Sequence, residues 1–231
     1  MTTPGATGAA PGPPPGPLID GAPRPVAGDR LESPSFARNF APIRDALAPL
    51  IGAAQGRALE LGSGPGRHAV ALAQAYPTLE FIPTDPFPAH RASVAAWSAE
   101  AGAANLRAPL ALDAGADWAG QVAGLAPFTL VYAINVAHIT PWDVTRGIVA
   151  GAGRTLAAGG WLALYGPFIE ADRATGPGNI AFDAHLRAQN PRHGVRALED
   201  VDALARAAGL GGLRIARLPS DNLLVAWRAG G

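Results

Sequence analysis

Three glycines fall within five residues of the stretch LELGSGPGRH, Leu59 to His68. An apolar run precedes them and a helical spacing of apolar residues follows. Glycine enters left-handed backbone conformations without a Cβ clash, so it lets a strand pass sharply into a helix with bare amides at the turn. A strand that hands the chain straight to a helix meets its next strand in parallel, because an antiparallel partner needs only a hairpin. Repeated along the chain, such a unit argues for an α/β fold with helices covering a parallel sheet.

The remaining pattern repeats the unit. Apolar residues Phe36, Phe40, Ile43, Leu47 and Leu50 recur at helical spacing, predicting a helix over 35–51 that Ser33-Pro34 opens. Strands are predicted over 57–61, 80–84, 106–112, 128–136 and 161–165, with helices over 67–76, 87–101 and from the Thr140-Pro141 cap to about 156. The run FTLVYAINV is apolar throughout, as expected of a strand covered on both faces. Ala157-Ala158-Gly159-Gly160 ends the third of these helices. Two further helices, 180–189 and 198–208, precede strands 212–218 and 222–228, whose short link Pro219-Ser220-Asp221 requires antiparallel pairing. The expected fold is α/β and Rossmann-like: a mostly parallel seven-stranded sheet with a C-terminal antiparallel hairpin. That is the strand census of a class I methyltransferase sheet. Residues 1–28 read as a disordered tail rich in proline, glycine and alanine, and 29–231 as a single domain of that class.

Composition removes several chemistries. Cysteine is absent, so disulfides, thiolate nucleophiles and cysteine metal sites are excluded. All 18 basic residues are arginine, which excludes a Schiff-base lysine. The five histidines form no HExxH pair, so no metal site is expected. Formal net charge is zero and no block of like charge appears, which disfavours a nucleic acid partner. No apolar run approaches membrane-spanning length, and the N-terminal stretch lacks the charged and apolar regions of a secretory signal. A cytoplasmic protein is expected, with no membrane partner.

Where a strand meets a helix through glycines, backbone amides can approach a ligand closely. The spelling ExGxGxG, from Glu60, Gly62, Gly64 and Gly66 with Ser63 and His68, resembles an S-adenosylmethionine loop. A dinucleotide loop, GxGxxG, would require glycine where Arg67 stands. A tight turn that binds nothing is the plainer alternative. Asp85 closes the second predicted strand 19 residues after Gly66, where its carboxylate can accept two ribose hydroxyls. Leu112 is placed to pack on adenine, and Asp113, closing the third strand, to accept from its amino group. Asn135 and His138 end the fourth strand. Asn135 is a candidate for the cofactor's amino acid end or the acceptor, and His138 for taking a proton. A loop histidine bonded to backbone is the alternative. Tyr165, ending the fifth strand, offers an orienting hydroxyl. Arg38 and Asn39 lie on the leading helix, which in this fold can close over the cofactor, with Arg38 meeting a carboxylate. Asp183, Asn190, His193 and Arg196 occupy the insertion before the hairpin, where acceptor specificity often resides.

The chain resembles the uncharacterised methyltransferase-like family that includes vertebrate methyltransferase-like protein 26 and many bacterial homologues grouped as a domain of unknown function. The resemblance runs from about Arg30 to Arg228. It is carried by Arg38-Asn39 with Pro42-Ile43, Ser63-Gly64 with Gly66 and His68, and Pro83-Thr84-Asp85. Further along it is carried by Ala133-Ile134-Asn135-Val136-Ala137-His138 with Pro141, Tyr165-Gly166-Pro167-Phe168, Asn179 with Phe182-Asp183, and Asn190-Pro191 with Gly194 and Arg196. A small polar residue and glutamine are commoner in that family where Pro65 and Arg67 stand. The resemblance implies the class I fold and S-adenosyl-L-methionine as cofactor, without naming an acceptor. The expected function is methyl transfer to oxygen or nitrogen of a small molecule. A cofactor-binding protein acting through a protein partner is the second reading, and a nicotinamide-dependent oxidoreductase the third.

Overall fold

The computed structural model describes residues 23–230. Its elements alternate as expected. A short hairpin, β1 (Arg24–Ala27) and β2 (Arg30–Glu32), leads into α1 (Phe36–Ile51), β3 (Gly56–Leu61), α2 (Arg67–Ala75), β4 (Leu79–Thr84) and α3 (Pro88–Ala101). After α4 (Trp118–Gln121) come β5 (Phe128–Ile134), α5 (Trp142–Thr155), β6 (Leu156–Ile169) and α6 (Pro177–Gln189). Strand β7 (Arg196–Ala197), α7 (Leu198–Ala207) and the antiparallel pair β8 (Leu210–Leu218) and β9 (Asn222–Ala229) complete the chain.

The main sheet runs β4-β3-β5-β6-β9-β8, with β7 pairing the end of β6, which makes seven strands. Neighbours among β4, β3, β5 and β6 are parallel, and β9 turns the direction against β6. Helices cover both faces. Ile43 and Leu47 of α1, Leu72 of α2 and Val94 of α3 fill one core with Leu130 and Tyr132; Trp118, Ile148 and Val201 fill the other with Val131 and Leu162. Alternate residues of β5 thus enter opposite cores, which is why its sequence is apolar throughout. None of the helices among the described residues is long and apolar enough to cross a membrane.

Four expectations need correction. The tail expected over 1–28 falls mostly on residues outside those described, yet Arg24–Ala27 within it form a strand paired to β2. Residues 106–112 do not form a full strand. They follow β4 in parallel through two isolated bridges, at Leu106 and Leu110, because Pro109 between them has no amide hydrogen to continue the ladder. The seventh strand is β7 instead. Residues 157–160 do not close a helix into a loop but belong to β6, where the register with β5 shifts and Gly159 takes φ 77°, the bent path of a bulge. Finally, Pro141 rather than Thr140 caps α5, while the Thr140 hydroxyl donates to the Val136 carbonyl at 2.8 Å.

Candidate active site

The glycine turn leaves β3 at Leu61 and enters α2 at Arg67, with Gly66 as its left-handed N-cap. Hydrogen bonds to β4 hold it in place. Ser63 N–H donates to the Thr84 carbonyl at 2.9 Å, Thr84 N–H returns to Ser63 Oγ at 3.1 Å, and Thr84 Oγ1 donates to the Glu60 carbonyl at 2.7 Å. Gly64 N–H reaches Asp85 Oδ2 at 2.8 Å. Asp85 Oδ1 accepts from Phe87 N–H at 2.9 Å and lies 3.1 Å from His90 Nδ1. Asp85 is 3% exposed and so fixes the turn from behind.

Beneath the turn, Glu60 is 1% exposed. Burial pushes its carboxyl up to about 7, the Asp85 charge adding to the shift while the Ser63 and Tyr132 hydroxyls oppose it. Glu60 Oε2 and the buried Tyr132 hydroxyl each lack a hydrogen bond of good geometry. His68 Nε2 is likewise buried without a partner. Burial, helped by the Arg67 charge, holds the His68 imidazole down at about 4.

Above the turn lies a cavity of about 500 Å³. It brings together eight residues singled out from sequence: Arg38 and Asn39 from α1, Gly62, Ser63, Gly64 and His68 from the turn, and Asn135 and His138 beyond β5. Asn135 takes φ 58°, a left-handed conformation that asparagine tolerates better than most residues, and its N–H donates to the Tyr165 carbonyl at 2.8 Å. His138 is 4% exposed. Burial, then the Arg196 and His193 charges, push its imidazole down to about 3. Its ring and that of Phe182 form a T-shaped pair with centroids 5.5 Å apart, and a Cβ on Gly166 would stand 2.9 Å from its Nδ1.

Other candidates stand elsewhere. Glu60, Gly66 and Asp85 support the floor without lining the cavity. Leu112 is buried in the core with Trp118, and the exposed Asp113 accepts at its Oδ1 from Gly115 N–H at 2.8 Å; neither lines this cavity. Tyr165 also does not line it. Buried in the opposite core, its hydroxyl is pushed up to about 12 by desolvation, the Arg38 charge opposing. In the insertion, Asp183 accepts from Val195 N–H at 2.7 Å and Arg187 Nε at 2.8 Å. Arg196 donates to the Ala137 and Thr140 carbonyls, and Gly194 N–H to the His138 carbonyl at 2.9 Å. These groups hold the segment that carries His138 rather than touching the cavity. Sequence reasoning missed His90, Asn222, Ser33 and Ser35, which do line it. Only His90 left a signal, one helical turn beyond a strand-end aspartate.

The family model described as Protein of unknown function (DUF938) matches residues 30–229. The chain belongs to this family. Solved structures similar to it include an O-methyltransferase family protein from Burkholderia thailandensis, 18% identical with a TM-score of 0.71 over 85% of this chain and 58% of that one. Human N-acetylserotonin methyltransferase, solved in complex with SAM, is 15% identical with a TM-score of 0.66 over 85% and 53%. PigF, solved with SAH, is 16% identical with a TM-score of 0.65 over 84% and 56%. At these identities the shared property is the fold, which is that of the class I methyltransferases. This family member spans a little over half the length of those three chains.

Proposed function

We propose that this chain is an S-adenosyl-L-methionine-dependent methyltransferase that transfers a methyl group to oxygen or nitrogen of a small-molecule acceptor. The observation that carries this reading is the bare floor of the cavity. A Cβ on Gly64 would meet nothing within 4 Å, although the flanking Gly62 and Gly66 are closely packed by Val136 and Val94. An unfilled cradle of backbone, with the orphaned His68 Nε2 at its rim, fits a ligand of this kind. Gly62, Ser63 and Gly64 would carry the methionine portion, Arg38 its carboxylate, and Asn39 and Asn135 its remaining polar groups. Asp85 does not line the cavity, and would serve the ribose from a strand tip behind the Gly64 turn and His90, both of which it holds and which do line it. When bound, the cofactor supplies an electrophilic methyl group on a sulfonium centre. The chain's task is then chiefly to align an acceptor and exclude water. Two neighbours of the same fold, solved with SAM or SAH, support the cofactor. Kinship with vertebrate methyltransferase-like protein 26 and a cytoplasmic setting belong to the same proposal, as does a small acceptor rather than nucleic acid, which zero net charge favours.

One observation favours the second reading, a cofactor-binding protein without turnover. Of the two groups expected to serve catalysis, His138 is held down at about 3 and Tyr165 does not line the cavity. The nicotinamide reading loses ground at Arg67, whose guanidinium stacks on Phe36 at 4.5 Å and Trp97 at 4.2 Å where a third glycine would be required. Titration calorimetry tests the assignment: S-adenosylhomocysteine should bind and NAD should not, and Asp85→Ala should weaken the first at least tenfold. Heat from NAD alone, or no heat from either, would overturn it. Release of demethylated cofactor with an acceptor separates enzyme from binding protein.

A further inference from the structure

The cavity has two chemically different sides. The first turn of α1, bearing Arg38 and Asn39, sits on the glycine side, since the Phe36 ring packs on His68 at 5.1 Å. Opposite it stand Phe182 and Asn179 of α6, Asn222 of β9, Ile139 and His138. That far wall has no formal charge. Among the described residues lining the whole cavity there is no carboxylate, and Arg38 is the sole arginine. Of the charges near the far wall, the Asp221 carboxylate, between Ser220 and Asn222, turns away to the neighbouring groove beside Gly176, and two others are committed. Asp183 is held by Val195 N–H and Arg187, and Arg196 by the Ala137 and Thr140 carbonyls.

An unpaired charge brought against such a wall loses its hydration without gaining a partner. An ammonium acceptor finds no acid there. A carboxylate or phosphate acceptor finds only Arg38, on the other side, where the cofactor's own carboxylate claims it. Side-chain amides and a neutral imidazole, by contrast, can each bond a hydroxyl. Phe182 and His138, in an edge-to-face pair at 5.5 Å, both line the cavity and offer a planar partner aromatic surface. Resting on the methyltransferase reading, we infer that the acceptor is an uncharged hydroxyl compound carrying a ring, which lies on Phe182 with its oxygen toward His138. In the transfer the acceptor oxygen bonds the methyl carbon as the carbon–sulfur bond breaks, its electron pair returning to sulfur, and the hydroxyl proton leaves to His138 or water. A weakly basic imidazole suffices for this. The hydroxyl proton becomes strongly acidic as the new bond forms, whereas an ammonium group would have to lose its proton first.

Three ring-matched probes test the inference on the intact protein saturated with S-adenosylhomocysteine: 2-naphthol, 2-naphthoate and 2-naphthylmethylamine, followed by saturation-transfer NMR near pH 7.5. Naphthol should bind at least tenfold more tightly than either charged probe and lose most of that affinity in Phe182→Ala, with S-adenosylhomocysteine affinity unchanged. Asn179→Asp, which places a carboxylate on the far wall, should shift the preference toward the amine. Equal or tighter binding of a charged probe, no binding of naphthol, or indifference to both substitutions overturns the inference while leaving the cofactor assignment standing. Failure of S-adenosylhomocysteine to bind the unmodified protein overturns the methyltransferase reading and this inference with it.

Discussion

Gly64 and Gly66 stand two residues apart, both at positive φ, and lack side chains for different reasons. At Gly66 a Cβ would lie 2.6 Å from Val94 Cγ2 and 2.7 Å from its Cα, so backbone as well as side chain would have to move. At Gly64 the space is open and the cost is conformational alone, about 1–2 kcal/mol for a left-handed alanine. Gly66→Ala adds overpacking of about 1–3 kcal/mol to that strain and should lower the denaturant midpoint substantially more than Gly64→Ala. Gly64→Ala should be the milder fold variant but the worse binder, losing at least tenfold in S-adenosylhomocysteine affinity by calorimetry, because its methyl would occupy the cradle. If Gly64→Ala kept full affinity, the open space at Gly64 would have to be a surface gap, and the turn would be structural throughout. Asp85 joins this pair. Its Oδ2 holds Gly64 N–H, so the carboxylate shapes the floor on which the glycine turn lies.

The hairpin β1–β2 is, with α4 and β7, an element the sequence concealed. It lies in a stretch dominated by proline, glycine and alanine, with no periodic apolar signal, and its fixation comes from α3. Trp97 Nε1 donates to the Leu31 carbonyl at 2.7 Å, Leu31 N–H donates to Ser93 Oγ at 2.8 Å, and Ser93 Oγ also reaches the Pro65 carbonyl at 2.8 Å. Arg30 and Arg67 both stack on the Trp97 ring. The contacts from Arg30 and Leu31 to α3 span more than sixty residues of chain, so no local pattern could announce them. Strands β3, β4 and β5, the glycine turn and the placement of Asn135 and His138 were legible because each follows from a local run and its terminator. The strand expected to end at Leu112 and Asp113 was less legible: it is reduced to two bridges with Pro109 between them, so one-residue alternation did not fix which side chain meets the cavity. Trp97→Ala should therefore do more than open a core site. Beyond the roughly 3–5 kcal/mol expected for truncating a buried tryptophan, it should raise hydrogen exchange across residues 24–32 toward that of free chain. Since Ser33 and Ser35 line the cavity, ligand affinity should fall with it. Unchanged exchange in the hairpin would show that α3 is not its anchor.

For the whole molecule, the buried titratable groups around the site give stability a definite pH profile. The His68 and His138 imidazoles are held at about 4 and about 3, below the ordinary 6.5. Between those values and 6.5 the unfolded chain binds protons that the folded chain refuses, so stability is lost as pH falls. Glu60 works the other way. Its carboxyl is raised from 4.5 to about 7, so the folded state keeps a proton that the unfolded chain has released, and stability is lost as pH rises from 4.5 through about 7. From pH 4.5 to 6.5 these two histidines oppose Glu60, and the three groups together should contribute a rise of about 1.4 kcal/mol per pH unit, the worth of one net proton. Glu60→Gln removes the opposing group. In urea titrations the variant should show nearly twice that slope over the acid limb, match the unmodified protein near pH 4.5, and exceed it at pH 8 by up to roughly 3 kcal/mol, the ceiling set by the size of the Glu60 shift. A carboxylate kept beneath the glycine turn at that expense to the fold implies a use for it there. The same variant should bind S-adenosylhomocysteine more weakly at pH 8. Equal stability of the two proteins at pH 8 would show that Glu60 is ionised in the folded state at no cost, and the strain assigned to the floor of the site would vanish.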